Sequence, residues 1–90
     1  MPAKGVLSDR RVLVIGASSG LGAAFARAAA AEGADVTVSA RRGDRLDELV
    51  GQMGSGTAVA GDATIPEDAV RVAKTAADAM GGIDLMFYVA

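Results

Sequence analysis

The chain has no cysteine and no histidine, and among ninety residues its aromatics are one Tyr, two Phe and no Trp. Without cysteine there is no disulfide framework and no thiol chemistry. The lack of histidine also removes the usual zinc sites and every Ser-His or Cys-His nucleophilic arrangement. No apolar run approaches the roughly eighteen residues of a membrane-spanning helix, and the first residues carry no apolar stretch of the signal-peptide kind. Charge of one sign is missing too: nine Lys and Arg against eleven Asp and Glu leave a net charge of −2. That balance gives no electrostatic footprint for nucleic acid. The expectation is a cytoplasmic protein with neither a nucleic-acid nor a membrane partner.

What is present is apolar and small. Half the residues are hydrophobic (51%), mostly Ala with Val and Leu. Ninety residues allow one small domain, spanning residues 1–90, which would be marginal if it folded alone. Met1 to Arg10 read as a short polar lead-in, with Pro2 and Gly5 opposing regular structure.

The organising stretch is RVLVIGASSGLG, Arg11 to Gly22. The apolar run Val12, Leu13, Val14 and Ile15 stops at Gly16, and glycines return at Gly20 and Gly22 as an alanine-rich segment begins. This pattern predicts a buried strand, a tight turn and a helix start. Each glycine has a separate job in a phosphate-binding turn: Gly16 lets the chain leave the strand, Gly20 lets backbone approach a pyrophosphate, and Gly22 lets the first helical turn lie against the strand. The helix N-terminus offers free N–H groups and a positive dipole end to an anion, with Ser18 and Ser19 as hydroxyl donors or caps. A dinucleotide is the ligand this turn suits best, and a ligand-free strand-to-helix turn is the alternative. No Lys-Ser or Lys-Thr pair follows, which disfavours a Walker loop.

Beyond the turn, Leu21, Phe25, Ala28 and Ala29 share one face of a helix from about Gly20 to Glu32, stopped by Gly33. ADVTVSA reads as a second strand, ending at Arg41 and Arg42. A polar helix follows, with Leu46, Leu49, Val50 and Met53 on one face. TAVAG makes a third strand. Thr64-Ile65-Pro66-Glu67 has the form of a capping box with Pro in the first turn. The next helix carries the stripe Ala69, Val70, Ala73, Ala76, Ala77 and Met80. Finally IDLMFYVA, apolar except for Asp84, suits a strand covered on both faces, and Asp84 caps or turns the chain beside it.

The order βαβαβαβ with right-handed crossovers predicts an α/β fold, a doubly wound parallel sheet with strand order 3-2-1-4. It would be incomplete at the fourth-strand edge, as in the N-terminal half of a larger fold or a sheet whose edge is covered by a partner.

GASSGLG resembles the glycine motif of the short-chain dehydrogenase/reductase family, with Ile15 where that family usually has Thr. The resemblance runs from Val6 to Ala90 and implies a Rossmann-type fold. It also implies that Gly16, Ser18, Ser19, Gly20, Leu21 and Gly22 meet the cofactor. An acidic residue at the end of the second strand suits the ribose 2′-OH of NAD, and an Arg suits the 2′-phosphate of NADP. Ala40 sits where the family's NAD-type Asp would fall, so the resemblance implies NADP(H) rather than NAD(H), with Arg41 on the 2′-phosphate and Arg42 as a second contact. Asp62 in GDAT is similar to the family's adenine-contacting Asp, with Ala63 beside it. The family's Asn-Asn-Ala-Gly is here Tyr88, Val89 and Ala90, leaving only a backbone contact near Ala90.

The family transfers hydride between the nicotinamide and a carbonyl or alcohol through a Ser, a Tyr and a Lys, none of which has a counterpart in these ninety residues. Tyr88 reads as an aromatic packing at a strand end, not as a catalytic group. The expected function is thus the NADP-binding portion of an oxidoreductase, inactive by itself, with a small carbonyl or alcohol substrate met only in the complete enzyme, and assembled as a homo-oligomer. The rival is a non-catalytic truncated or designed Rossmann module that binds nucleotide or assembles through its open edge. A methyl-donor site is weaker, because Arg41 would then meet no anion.

Overall fold

A computed structural model describes residues 7–17 and 20–89. Its elements are β1 (Arg11–Ile15), α1 (Gly20–Ala31), β2 (Asp35–Ala40), α2 (Gly43–Met53), β3 (Thr57–Ala60), α3 (Pro66–Met80) and β4 (Leu85–Tyr88). The strands form one sheet in the order β3-β2-β1-β4, and every neighbouring pair is parallel. This is the expected Rossmann-like topology.

The period-two alternation of β1 and β2 divides the core into two faces. Val12 and Val14 pair with Val36 and Val38 in register, and these four pack with Ala26 and Ala29 of α1 and Leu46 and Leu49 of α2. Leu13 points the other way, joining Val59 of β3 and Val72, Ala76 and Met80 of α3. The sheet is thereby sandwiched between α1 and α2 on one side and α3 on the other. Val12, Leu13, Val14 and Val38 have no exposed surface, as befits strands covered on both faces.

Two helical faces differ from the sequence expectation. In α1 the buried residues are Gly22, Ala26 and Ala29, while Leu21 is 65% exposed and Ala28 is also exposed. Alanine at almost every position blurs the apolar period, and the close approach of Gly22 to the sheet sets the rotation instead. Phe25 lies at the flank, half-buried, and stacks on Phe87 of β4 with ring centroids 4.0 Å apart. In α3 the buried positions are Val72, Ala76 and Met80, and Val70 faces solvent. Its Thr-x-x-Glu capping box does not form. Ile65, which has no polar side-chain atom, is the N-cap, and Thr64, one residue before it, directs its hydroxyl to Asp62 Oδ1 at 2.6 Å. Pro66 does open the helix, as expected.

β4 is an edge strand, as the strand order requires, and the coverage on both faces suggested by its composition is absent. Leu85, Met86 and Tyr88 are exposed, so the packing expected of Tyr88 is not seen. Its start is anchored by Asp84, which accepts from the Arg11 backbone N–H, Nε and Nη2, each at 2.9 Å, while Arg11 Nη1 donates to the Gly81 carbonyl at 2.7 Å. Instead of the expected cap or turn, the Asp84 carboxylate forms a bidentate pair with Arg11 across 73 residues of sequence.

Arg11 holds the Asp84 carboxyl well below its ordinary value of 3.8 through side-chain and backbone hydrogen bonds. A carboxylate depressed in the folded state stabilises the fold above its unfolded pKa, and that contribution disappears as pH falls through the folded value. Asp84→Asn is therefore expected to lower the urea midpoint at neutral pH and to flatten its acid-side decline below about pH 4; a variant with the wild-type pH profile would rule this out. Thr37 is fully buried with no hydrogen-bond partner for its hydroxyl among the described residues. Replacing a stranded buried hydroxyl by a methyl removes a desolvation cost. Thr37→Val should raise the unfolding free energy by about 1 kcal/mol, read by urea denaturation.

Candidate functional site

The strand ends converge because loop amides continue the sheet past the strands. The Ser39 carbonyl accepts from both Gly16 N–H (2.8 Å) and Ala17 N–H (3.1 Å). Beyond β3, Gly61 N–H donates to the Ala40 carbonyl at 2.9 Å, and beyond β4, Val89 N–H donates to the Ile15 carbonyl at 2.9 Å. These bonds hold the carboxyl ends of all four strands around a cleft of about 330 Å³. It lies at the reversal of strand order between β1 and β4, where open α/β sheets bind their ligands.

Four residues singled out from the sequence line this cleft together: Gly16, Arg41, Asp62 and Ala63. Gly16 has a φ of 87°, and a Cβ there would run into the Val89 carbonyl oxygen. Gly22 is buried, and a Cβ on it would collide with the Gly16 carbonyl. Both glycines are thus explained by the protein's own atoms. Gly20 is different: a Cβ on it would meet no described atom within 4 Å. It opens α1 beside exposed Leu21, and neither lines the cleft. Arg42 is exposed at the N-cap of α2, with no side-chain cap bond, and is likewise outside the lining. Ser18, Ser19 and Ala90 lie outside the described residues.

Asp62 is held by its neighbour two residues on. Its Oδ1 accepts from the Thr64 backbone N–H at 2.9 Å and from the Thr64 hydroxyl, an Asx-type turn. The Thr64 hydroxyl and amide lower the Asp62 pKa, and the positive charge of Arg41 lowers it further. The carboxylate is therefore ionised at neutral pH, with Oδ2 taking no hydrogen bond from a described residue.

The helix ends also differ in charge. α2 begins with Asp44 and α3 with Glu67 and Asp68 in their first turns, whereas α1 has no acidic residue there. Acidic side chains offset the positive pole of α2 and α3, and none in the first turn of α1 does so there. Together the groups can hold an elongated polyanion: a helix pole for one end, a cation and a carboxylate acceptor at the other.

Sequence reasoning did not single out Gly61 and Thr64 of the lining as ligand-facing residues. Asp-x-Thr is a local Asx-turn signal that identifies Thr64. Tyr88, Val89 and Ile15 enter only because β1 and β4 are adjacent.

The family model described as short chain dehydrogenase matches residues 10–90. An A-factor type gamma-butyrolactone 1′-reductase (1S-forming) of Streptomyces virginiae is 44% identical over 88 residues, covering 93% of this chain and 34% of that protein. Among solved structures, a short chain dehydrogenase from Mycobacterium smegmatis superposes with a TM-score of 0.89 at 30% identity, over 98% of this chain and 39% of that one. A short-chain dehydrogenase/reductase from Caenorhabditis elegans, solved with cofactor, gives 0.84 at 28% identity, over 89% and 32%. The chain spans about a third of the length of the curated relatives it matches.

The glycine contacts give a paired expectation. Gly22→Ala should cost about 1–3 kcal/mol of stability, the range for overpacking, and Gly20→Ala should leave thermal unfolding unchanged or slightly raised, since Ala is the better helix former. Equal destabilisation of both variants would contradict the different surroundings described for the two glycines.

Proposed function

The chain belongs to the short-chain dehydrogenase family, whose members are oxidoreductases using a nicotinamide dinucleotide, and from that premise we propose that residues 1–90 are an NADP-binding domain. The observation that carries this reading is Arg41, an exposed cation on the cleft wall immediately after Ala40, with no acidic side chain at the end of β2. A 2′-phosphate there meets a guanidinium suited to bidentate contact. An NAD-type site would have a carboxylate at this place to accept from the ribose 2′-OH.

The residues present fit the cofactor. The pyrophosphate lies against Gly20, whose Cβ position is free of described protein atoms, at the N-terminus of α1, whose first turn holds no acidic residue. Asp62 offers Oδ2 to the adenine amino group while Thr64 fixes Oδ1, and Ala63 lines the same wall. Arg42 gives a second phosphate contact from the α2 N-cap. Ser18 and Ser19 add hydroxyl donors at the pyrophosphate, and Leu21 and the backbone at Ala90 complete the contacts.

When bound, the nicotinamide supplies or accepts a hydride. This chain's residues orient it and hold its charged groups, and the Ser, Tyr and Lys that handle the proton of a carbonyl or alcohol substrate belong to other parts of the complete enzyme. The reductase name of the Streptomyces virginiae relative supports reduction of a carbonyl as the direction. A second reading has a specific observation behind it: Leu85, Met86 and Tyr88 are exposed on edge strand β4, which supports self-association as a homo-oligomer. Sedimentation showing a monomer at all concentrations would dispose of that reading.

Titration of NADPH and NADH, followed by nicotinamide fluorescence, tests the cofactor assignment. Loss of one charge-assisted contact of about 1.5–3 kcal/mol corresponds to roughly ten- to hundredfold in affinity. Arg41→Ala should weaken NADPH by that factor and leave NADH nearly unaffected; equal losses would remove the 2′-phosphate role.

A further inference from the structure

We infer that Asp68 and Arg71, on the first turns of α3, are positioning residues for the adenine end of the cofactor. The inference rests on the dinucleotide reading of the cleft and adds residues that lie outside its lining. Three successive residues at the end of β3 are tied down. The Ala60 carbonyl accepts from Arg71 Nη2 at 2.9 Å, Gly61 N–H is bound to the Ala40 carbonyl, and Asp62 N–H donates to Asp68 Oδ2 at 2.9 Å. Asp68 Oδ1 stands 3.7 Å from Arg71 Nη2, so the two side chains also pair with each other.

Gly61 gives independent support. Its φ is not among the positive values, so glycine is not needed there for backbone conformation. A Cβ on it would lie 2.8 Å from Arg71 Nη2 and 2.8 Å from Val72 Cγ2. A side chain at Gly61 would therefore crowd the Arg71 guanidinium where it reaches the Ala60 carbonyl.

The chemistry of the ligand explains the use of such a clamp. Adenine is recognised by matching an amino donor and ring acceptors to groups at fixed spacing. Ordering a loose loop on binding would subtract from affinity. With the backbone held from behind by α3, the Asp62 carboxylate and the Ala63 backbone are already placed when adenine arrives. Asp68 and Arg71 touch no ligand and act only through that backbone.

The test uses adenosine 2′,5′-bisphosphate, which carries adenine and the 2′-phosphate without nicotinamide, titrated calorimetrically into the full chain. Amide hydrogen exchange over residues 61–63 is followed in the absence of ligand. Asp68→Ala is expected to weaken the bisphosphate about tenfold, the scale of one lost ordering contact, and to speed exchange at those amides. Asp68→Asn keeps an acceptor oxygen for Asp62 N–H and should restore most of both. Arg71→Met should behave like Asp68→Ala. Met80→Ala, at the far end of α3, should lower the thermal midpoint while leaving bisphosphate affinity intact, which separates positioning from loss of stability. Wild-type affinity in Asp68→Ala, or an equal loss in Met80→Ala, overturns the positioning role alone. A folded wild-type chain that does not bind the bisphosphate overturns the dinucleotide reading and this inference with it.

Discussion

The close approach of α1 to β1 at Gly22 is the constraint from which the rest of the structure follows. A methyl group on Gly22 would strike the Gly16 carbonyl, and one on Gly16 would strike Val89 beyond β4. The turn between β1 and α1 is therefore confined on both sides, by its own helix and by the neighbouring strand. Because α1 is seated so low, its next contacts with the sheet are through Ala26 and Ala29, residues with only a methyl to bury. Phe25, too large for that layer, reaches sideways to Phe87 and fastens the helix to β4. The alanine-rich composition is thus a consequence of close helix-on-sheet packing.

The same turn arranges the charges. The turn sets the positive pole of α1 just after β1, while Arg41 after β2 and Asp62 after β3 line the cleft together with Gly16. The first turn of α1 carries no acid to offset that pole, in contrast to α2 and α3. Thr64 binds one Asp62 oxygen and fixes its orientation, and the ionised carboxylate still attracts Arg41. On the proposed reading, Arg41 meets a phosphate of the cofactor and Asp62 accepts from its adenine amine.

Much of this was legible in the sequence, for reasons that can be stated. Strand order and element sequence follow from the alternation of β-branched runs with helical segments, and glycines mark the stops, as at Gly54 and Gly81, both left-handed helix caps. Gly16, Arg41, Asp62 and Ala63 could be placed together because each sits at the carboxyl end of a strand, and parallel strands bring those ends to one side. Two kinds of feature were not legible. The rotation of α1 was hidden because alanine carries little periodic signal, and the contact that fixes it is between backbones. The start of α3 differs from the Thr-x-x-Glu pattern because the Thr64 hydroxyl has two local partners open to it, the helix amides from which it could accept and the Asp62 carboxylate to which it donates, and local pattern alone does not rank them. The Arg11–Asp84 pair and the reach of Arg71 to Ala60 depend on residues brought together by the sheet and had no local signature.

The two ends of the strands do opposite things. At the amino ends, Arg11 and Asp84 satisfy each other and the nearby backbone with four hydrogen bonds, leaving little of that pair's bonding capacity for a ligand. At the carboxyl ends, Asp62 Oδ2 takes no hydrogen bond from a described residue and Arg41 is exposed. A group already saturated by the fold contributes stability, whereas a group positioned but unsaturated can bind. Parallel topology allows this separation, since it gathers all strand starts on one side and all strand exits on the other. In an antiparallel sheet, starts and exits would alternate along each edge, and a pair as closed as Arg11–Asp84 would sit beside groups that need to stay open.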